Sequence, residues 1–402
     1  MLGANGLQAI KVEAVDDPLE ANIVIFGSEP NPLILISCDL LYIGETLRQM
    51  VEFDLRDLVR SDNIFMAASH THRATMTDSS KPALGQAEKP QIDFIARRIC
   101  RAVRRIYSDR ELMVSAEVGY GSQKAGINRR RKRLFVIGRF GLKMNMVGMG
   151  PNPGGPVDGT VRRIRFQDSA GETIAEVWST ALHPTGYPER DKVSADFPGK
   201  VRRAVREEHG AEIAVIFLQG FSGNIRPRTP VTRPGLRRFL VGPKFAGFTH
   251  TEYALWVGKL VESVLSVGFV PLEGRGFAAV RIPVPRELFV YGEAGPVSGW
   301  IHGIRLGDLG IIGVPSEVVV EYSSSLAGNK GRDHGLKHLW GISCIDHVWG
   351  YAPTHSMLAE GGYEVDGFCK PFGVEYVSPN VELDLRSVLK ETVMLLVAER
   401  RV

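Results

Sequence analysis

An α/β protein is what this sequence predicts, and three observations predict it. Short apolar, β-branched runs lie between Gly and Pro punctuation. Segments with apolar residues three and four apart alternate with those runs. Polar residues able to do chemistry follow directly after several of the runs, where α/β proteins place their ligand sites.

The first two strands are predicted over Asn22 to Phe26 and Leu33 to Ile36, the second ending in Cys38-Asp39-Leu40. Asp39 reads as a cap for the next helix or as a partner that orients a metal-bound imidazole. Leu47, Met50, Val51, Leu55 and Leu58 give Tyr42 to Val59 helical spacing. The apolar run from Ile64 to Ala68 leads into Ser69-His70-Thr71-His72. On a strand His70 and His72 share a face, so this is half of a metal site or simply two histidines in a loop. A polar loop from Thr75 to Pro90 is expected over the cleft. Ile92, Ile95, Ile99, Val103 and Ile106 then mark an amphipathic helix whose arginines form a solvated face or address an anionic membrane.

Leu112 to Tyr120 alternates as a strand and leads into Ala125 to Arg131, read as a basic turn or as a guanidinium aimed at an oxyanion. A Gly-rich loop from Gly148 to Gly159 precedes strands at Val161 to Phe166 and Thr173 to Ser179. His183, followed by Pro184, repeats the strand-end setting of His70. Asp196 opens a helix through Val201 and Val205 and is a natural cap. Ile213 to Leu218 is a buried strand ending at Gln219 to Arg228. Thr249 to Val267 reads as a helix, and Phe277 to Val284 and Leu309 to Val314 as strands. Pro315-Ser316-Glu317 has the form of a helix start, yet Glu317 is also a carboxylate where strand meets helix, as both histidines are. Leu339 to Ile345 is a strand, Trp349 to Thr354 an aromatic and polar stretch, and Val381 to Val397 a closing helix.

Composition narrows the functional classes. The 402 residues are 44% hydrophobic and 23% charged with a net charge of +4, which points away from nucleic acid. The four cysteines, Cys38, Cys100, Cys344 and Cys369, show no C-x-x-C spacing, so neither a zinc ribbon nor a disulfide framework is expected. No run reaches the ~20 apolar residues of a membrane span, and no secretory leader is evident. A cytoplasmic protein forming one domain over 1–402 is expected, and a homo-oligomer is compatible with the sequence.

Taken in order, the pieces Ile36 to Leu40, Ser69-His70-Thr71-His72, Ile127-Asn128-Arg129, His183-Pro184-Thr185, Phe217 to Gly220 with Gly223-Asn224, Pro315-Ser316-Glu317, and Gly350-Tyr351 followed by Glu364 resemble the catalytic domain of the neutral ceramidase family of zinc amidases. The resemblance covers most of the chain and implies a mixed β-sheet core flanked by helices. It implies Zn2+ held by His70, His183, Glu317 and Tyr351, with His72 facing substrate or water and Arg129 holding a carbonyl oxygen or carboxylate. The sequence departs from the family's pattern: Arg73-Ala74 stands where a Gly usually follows the H-T-H motif, and two further features differ. Arg226 stands where ceramidases carry a serine in a Gly-Asp-x-Ser-Pro segment, and the chain ends before a C-terminal immunoglobulin-like domain.

The reading that follows is a zinc-dependent hydrolase that cleaves an amide bond by metal-activated water. His72, Arg129 and Tyr351 are its catalytic candidates. Arg226, Asn224 and Arg73 are candidates for binding a small-molecule or lipid-like amide that is more polar than ceramide, or anionic. An esterase, lactonase or amide-forming cyclase would use the same site, and a non-catalytic binding protein would have inherited only the fold.

Overall fold

The computed structural model describes residues 12–27, 31–108, 115–137, 142–232, 243–274, 276–293, 295–327 and 335–399. Three sheets supply the frame. The first runs in the order Ala21–Phe26, Leu33–Cys38, Ile64–Ala68, with an antiparallel and then a parallel pairing. The second has five strands in the order Ala214–Gln219, Thr173–Thr180, Thr160–Gln167, Ser115–Ser122, Phe269–Pro271. The third has the order Phe277–Pro285, Ser298–Leu306, Leu309–Gly313, His338–Ile342.

Alternation along the strands explains how these sheets pack. Leu33, Leu35, Phe65 and Ala67 turn toward an inner layer with Ile164, Val177, Ile216, Leu218, Ile311 and Trp340 from the other two sheets. Their neighbours Ile34, Ile36, Ile64 and Met66 face the opposite way, onto Leu47, Val51 and Leu55 of helix Glu45–Leu55 and Ile92, Ile99 and Val103 of helix Lys89–Ser108. A period of two thus divides each run between two apolar layers, which is why these strands read as continuously hydrophobic. Helices Asp196–His209 and His250–Leu265 cover Trp178, Val215 and Phe217. Helix Val381–Ala398 lays Leu385, Leu389, Val393 and Leu396 against the third sheet. Each buried side chain of this size contributes roughly 1.5–3 kcal/mol.

Most predicted elements are present, and five expectations change. Residues 112–114 of the expected strand lie outside the described residues. Gly126–Ile137 is a strand rather than a basic turn, and it pairs with Leu142–Asn152, which takes in part of the expected Gly-rich loop. Glu317 does not begin a helix: Glu317–Val318 is a two-residue strand parallel to Tyr351–Ala352. Helix Glu45–Leu55 is capped at Gly44, so Asp39 is not its cap. Asp196 is the first residue of its helix, which follows Ala195. Among the described residues no helix is long and apolar enough to cross a membrane.

Candidate metal centre

His70, His183 and Glu317 each follow a strand of the main sheets by two to four residues. Ile64–Ala68 stops two residues before His70, whose amide is fixed by the Leu40 carbonyl at 2.9 Å. His70 then takes a left-handed backbone, φ 65°, costly for a residue with a Cβ. The ring is therefore aimed by this turn and not by strand alternation. His183 follows Thr173–Thr180, and Glu317 follows Leu309–Gly313.

Three donor atoms converge there. His70 Nε2 lies 3.0 Å from His183 Nε2, and Glu317 Oε2 lies 3.3 and 3.4 Å from the two nitrogens. His70 Nδ1 is 3.0 Å from the Leu41 carbonyl and His183 Nδ1 is 3.2 Å from that of Ser222. A carbonyl only accepts, so both Nδ1 atoms carry hydrogen and both neutral rings present Nε2 lone pairs to each other. Two lone pairs and a carboxylate oxygen at these separations suit a shared proton or a bound cation among them.

The electrostatics say the same. Burial opposes charge on His70, yet Cys344 and Glu317 hold its proton affinity well above the ordinary imidazole value. Burial, with His70 beside it, pushes His183 well below that value. Burial favours the neutral form of Glu317 too, but the two imidazoles and a hydrogen bond from Tyr351 keep its carboxyl below the usual carboxylate range. Positive charge belongs at the centre, and a proton on His70 or a bound cation would supply it. A small tetrahedral cation with bonds of about 2.0–2.2 Å sets its ligand atoms roughly 3.3–3.5 Å apart, which the two Glu317 separations match and the 3.0 Å between the imidazole nitrogens falls slightly short of.

The surroundings fix the carboxylate. Tyr42 Oη donates to Glu317 Oε1 at 2.6 Å, and Tyr351, the strand partner of Glu317, holds a second hydrogen bond. Burial and the adjacent carboxylate push both phenols far up, so both stay protonated donors. Gly223 lets its segment reach the Glu317 backbone: a Cβ there would come within 2.6 Å of the Glu317 carbonyl oxygen. The His72 ring is 5.0 Å from that of His70 and 5.3 Å from that of His183. Donor atoms of His70, His72 and His183 lie within 4.8 Å of one another, so this group could hold a metal ion. Glu317 is the closer third donor and brings negative charge, so His72 stands at the rim.

Arg129 reaches the same place through a β-bulge. The register between Gly126–Ile137 and Leu142–Asn152 shifts between Asn128 and Arg130. Bulges re-aim side chains, and here consecutive arginines meet one carboxylate: Arg129 Nε and Arg130 Nη1 donate to Glu364 at 2.7 and 2.8 Å. Arg129 stacks over Tyr351, with its guanidinium carbon 5.4 Å from the ring centroid, and its Nη2 is buried without a hydrogen-bond partner. Asn224 is buried, donating to Glu321 and accepting from Val320 N at 2.9 Å.

Two expected partners lie elsewhere. Asp39 takes Glu20 N and Arg202, and Asp196 takes the amides of Gly186, Tyr187 and Phe197 and the Tyr253 hydroxyl. Backbone carbonyls orient the imidazoles instead. Tyr42 and Cys344 were not foreseen, because each approaches only through the folded chain.

Neutral ceramidase from Pseudomonas aeruginosa superimposes on 100% of this chain and 74% of its own, with a TM-score of 0.72 at 14% identity. A second structure, a ceramidase complexed with C2, covers 98% of this chain and 72% of its own at the same TM-score and identity. The fold is that of neutral ceramidase. No protein-family model and no curated protein matches the chain. The ceramidase fold thus accounts for the mixed sheets and flanking helices expected from the sequence.

Proposed function

We propose that the chain is a zinc-dependent hydrolase of amide bonds, acting on an amide more polar than ceramide. The observation that carries this is the meeting of His70 Nε2, His183 Nε2 and Glu317 Oε2 within 3.0–3.4 Å, with both Nδ1 hydrogens already committed to carbonyls. The ceramidase fold supports it. His70, His183 and Glu317 would hold the ion, with Tyr351 beside them as a fourth ligand or as a donor to the reacting oxygen. When bound, zinc polarises a carbonyl and makes a water acidic near neutral pH.

The protein's own groups do the rest. Tyr42 and Tyr351 lock the Glu317 carboxylate. His72, at the rim, takes a proton from water and returns it to the departing nitrogen. Arg129 Nη2 is a charged donor held in place by Glu364, suited to the oxygen that becomes negative as the carbonyl turns tetrahedral; one such donor is worth roughly 3–4 kcal/mol. By the sequence resemblance Arg226 stands in place of the ceramidase serine, and since a guanidinium is no nucleophile the proposed attacking group is water.

The test is elemental analysis of the purified protein joined to hydrolysis assays on matched amide and ester panels. Near-stoichiometric zinc with amide cleavage is expected. Cleavage of esters alone would move the reading to an esterase, and a protein without metal or hydrolysis would leave only a binding role.

A further inference from the structure

Helix Lys89–Ser108 turns a stripe of nearly uniform chemistry toward solvent. Phe94, Arg97, Arg98, Arg101, Arg104 and Arg105 are exposed, while Ile92, Ala96, Ile99 and Val103 are buried behind them. At 3.6 residues per turn the six exposed positions fall within about a third of the helix circumference, with Phe94 near the middle of that arc. The twenty residues of this helix carry six basic side chains and one acidic, a net +5, against +4 for the whole chain. The rest of the protein is close to neutral, and its excess charge is gathered on this one element.

The acids around the stripe leave most of it unanswered. Asp57 takes Arg104 at 2.7 Å, and Asp93 takes Lys89 at 3.0 Å. Asp54, near the end of helix Glu45–Leu55, offers Arg104 its backbone carbonyl, and its carboxylate accepts from the Cys100 thiol. Among the described residues no carboxylate pairs with Arg97, Arg98, Arg101 or Arg105. Two phenylalanines share this side. Phe94 is 56% exposed, with the Arg98 guanidinium carbon 5.8 Å from its ring centroid, and Phe53 is 67% exposed, with that of Arg56 at 3.9 Å. Phe53 adjoins Asp54, so the contact of Arg104 with that residue sets the second ring alongside the stripe. Rings among guanidiniums suit the boundary between lipid headgroups and acyl chains, where the rings enter and the cations reach phosphates. A nucleic-acid duplex would answer the charge and leave the rings in water.

We propose that this face docks the protein on a membrane rich in anionic phospholipid, with the helix lying along the surface. The docking does not depend on which bond the metal cluster cuts.

Sedimentation of the full chain with vesicles tests it, using phosphatidylcholine alone and with about one-third phosphatidylglycerol, at about 0.1 M salt. Binding to the anionic vesicles should be tighter by at least about a hundredfold. Combining Arg97→Gln, Arg101→Gln and Arg105→Gln should remove about a hundredfold of that affinity, since each cation near the surface is worth about fivefold. Lysine at the same three positions keeps the charge and should restore most of the binding. Phe94→Ser should cost about tenfold and leave the salt dependence as it was. All of these side chains are exposed, so the melting temperature should not move. Equal binding to the two kinds of vesicle, or full binding by the glutamine variant, overturns the proposal and leaves a solvated face. Tighter binding to duplex DNA than to anionic vesicles, with Phe94→Ser without effect, overturns it as well.

Discussion

Among the described residues, two of the buried clusters that combine histidine with carboxylate differ in where the positive charge comes from. Around His302, the Asp346 carboxylate lies 3.2 Å from Nε2, and Arg48 reaches the other Asp346 oxygen at 3.0 Å. Arg48 and Arg281 both pair with Glu52, at 2.8 and 3.0 Å. Two guanidiniums balance two carboxylates, and burial, with Arg48 and Arg281, holds His302 well below its ordinary value. That cluster closes on its own. Around His70 the protein offers two lone pairs and a carboxylate oxygen but no fixed cation among them. Buried imidazole beside carboxylate is thus not in itself a metal signature; the unmet charge is.

The largest effect should come from emptying the open cluster. Glu317→Gln or His183→Ala should lose stoichiometric metal and lower turnover on the order of a thousandfold or more, with the fold retained by circular dichroism. Retained metal in both variants would erase the contrast between the clusters. Arg48→Ala should do the reverse: by stranding Asp346 in the interior it should destabilise the protein by about 3–5 kcal/mol in urea unfolding while metal content stays unchanged.

A smaller effect separates ligand from support. Tyr42→Phe removes the donor to Glu317 Oε1 and should weaken zinc affinity by about 10–100-fold in a competitive chelator titration. The least effect concerns pH. Burial and the nearby Lys81 lower His347 to about 3. Unfolded, it would bind a proton near 6.5, so its share of stability is present above that pH and is lost as the pH falls toward 3. The slope is about 1.4 kcal/mol per pH unit, and His347→Gln should flatten the stability profile between pH 6.5 and 5.

What was legible in the sequence follows from how local the cause is. Helix Lys89–Ser108 and strand Ile64–Ala68 are written in their own periodicities, and the recurrence of histidine after a strand singled out His70 and His183. The hairpin from Gly126 onward was hidden because run after run of arginine masks strand alternation. Glu317 carried a plausible capping signal, yet its conformation is decided by Tyr351, its strand partner, which no local pattern announces. Tyr42 is 275 residues from the carboxylate it fixes. Asp39 and Asp196 had the right chemistry for orienting imidazoles, but the backbone at Leu41 and Ser222 does that work.

The dispersal of His70, His183, Glu317 and Tyr351 along the chain bears on how the centre matures. A zinc finger gathers its donors within a few turns of chain, so the ion can drive folding. Here His70, His183 and Glu317 come from separate parts of the chain, and the scaffold must assemble through long-range pairing before they meet. On the proposed reading any ion loads late, and chelation should leave a folded apoprotein that can be refilled.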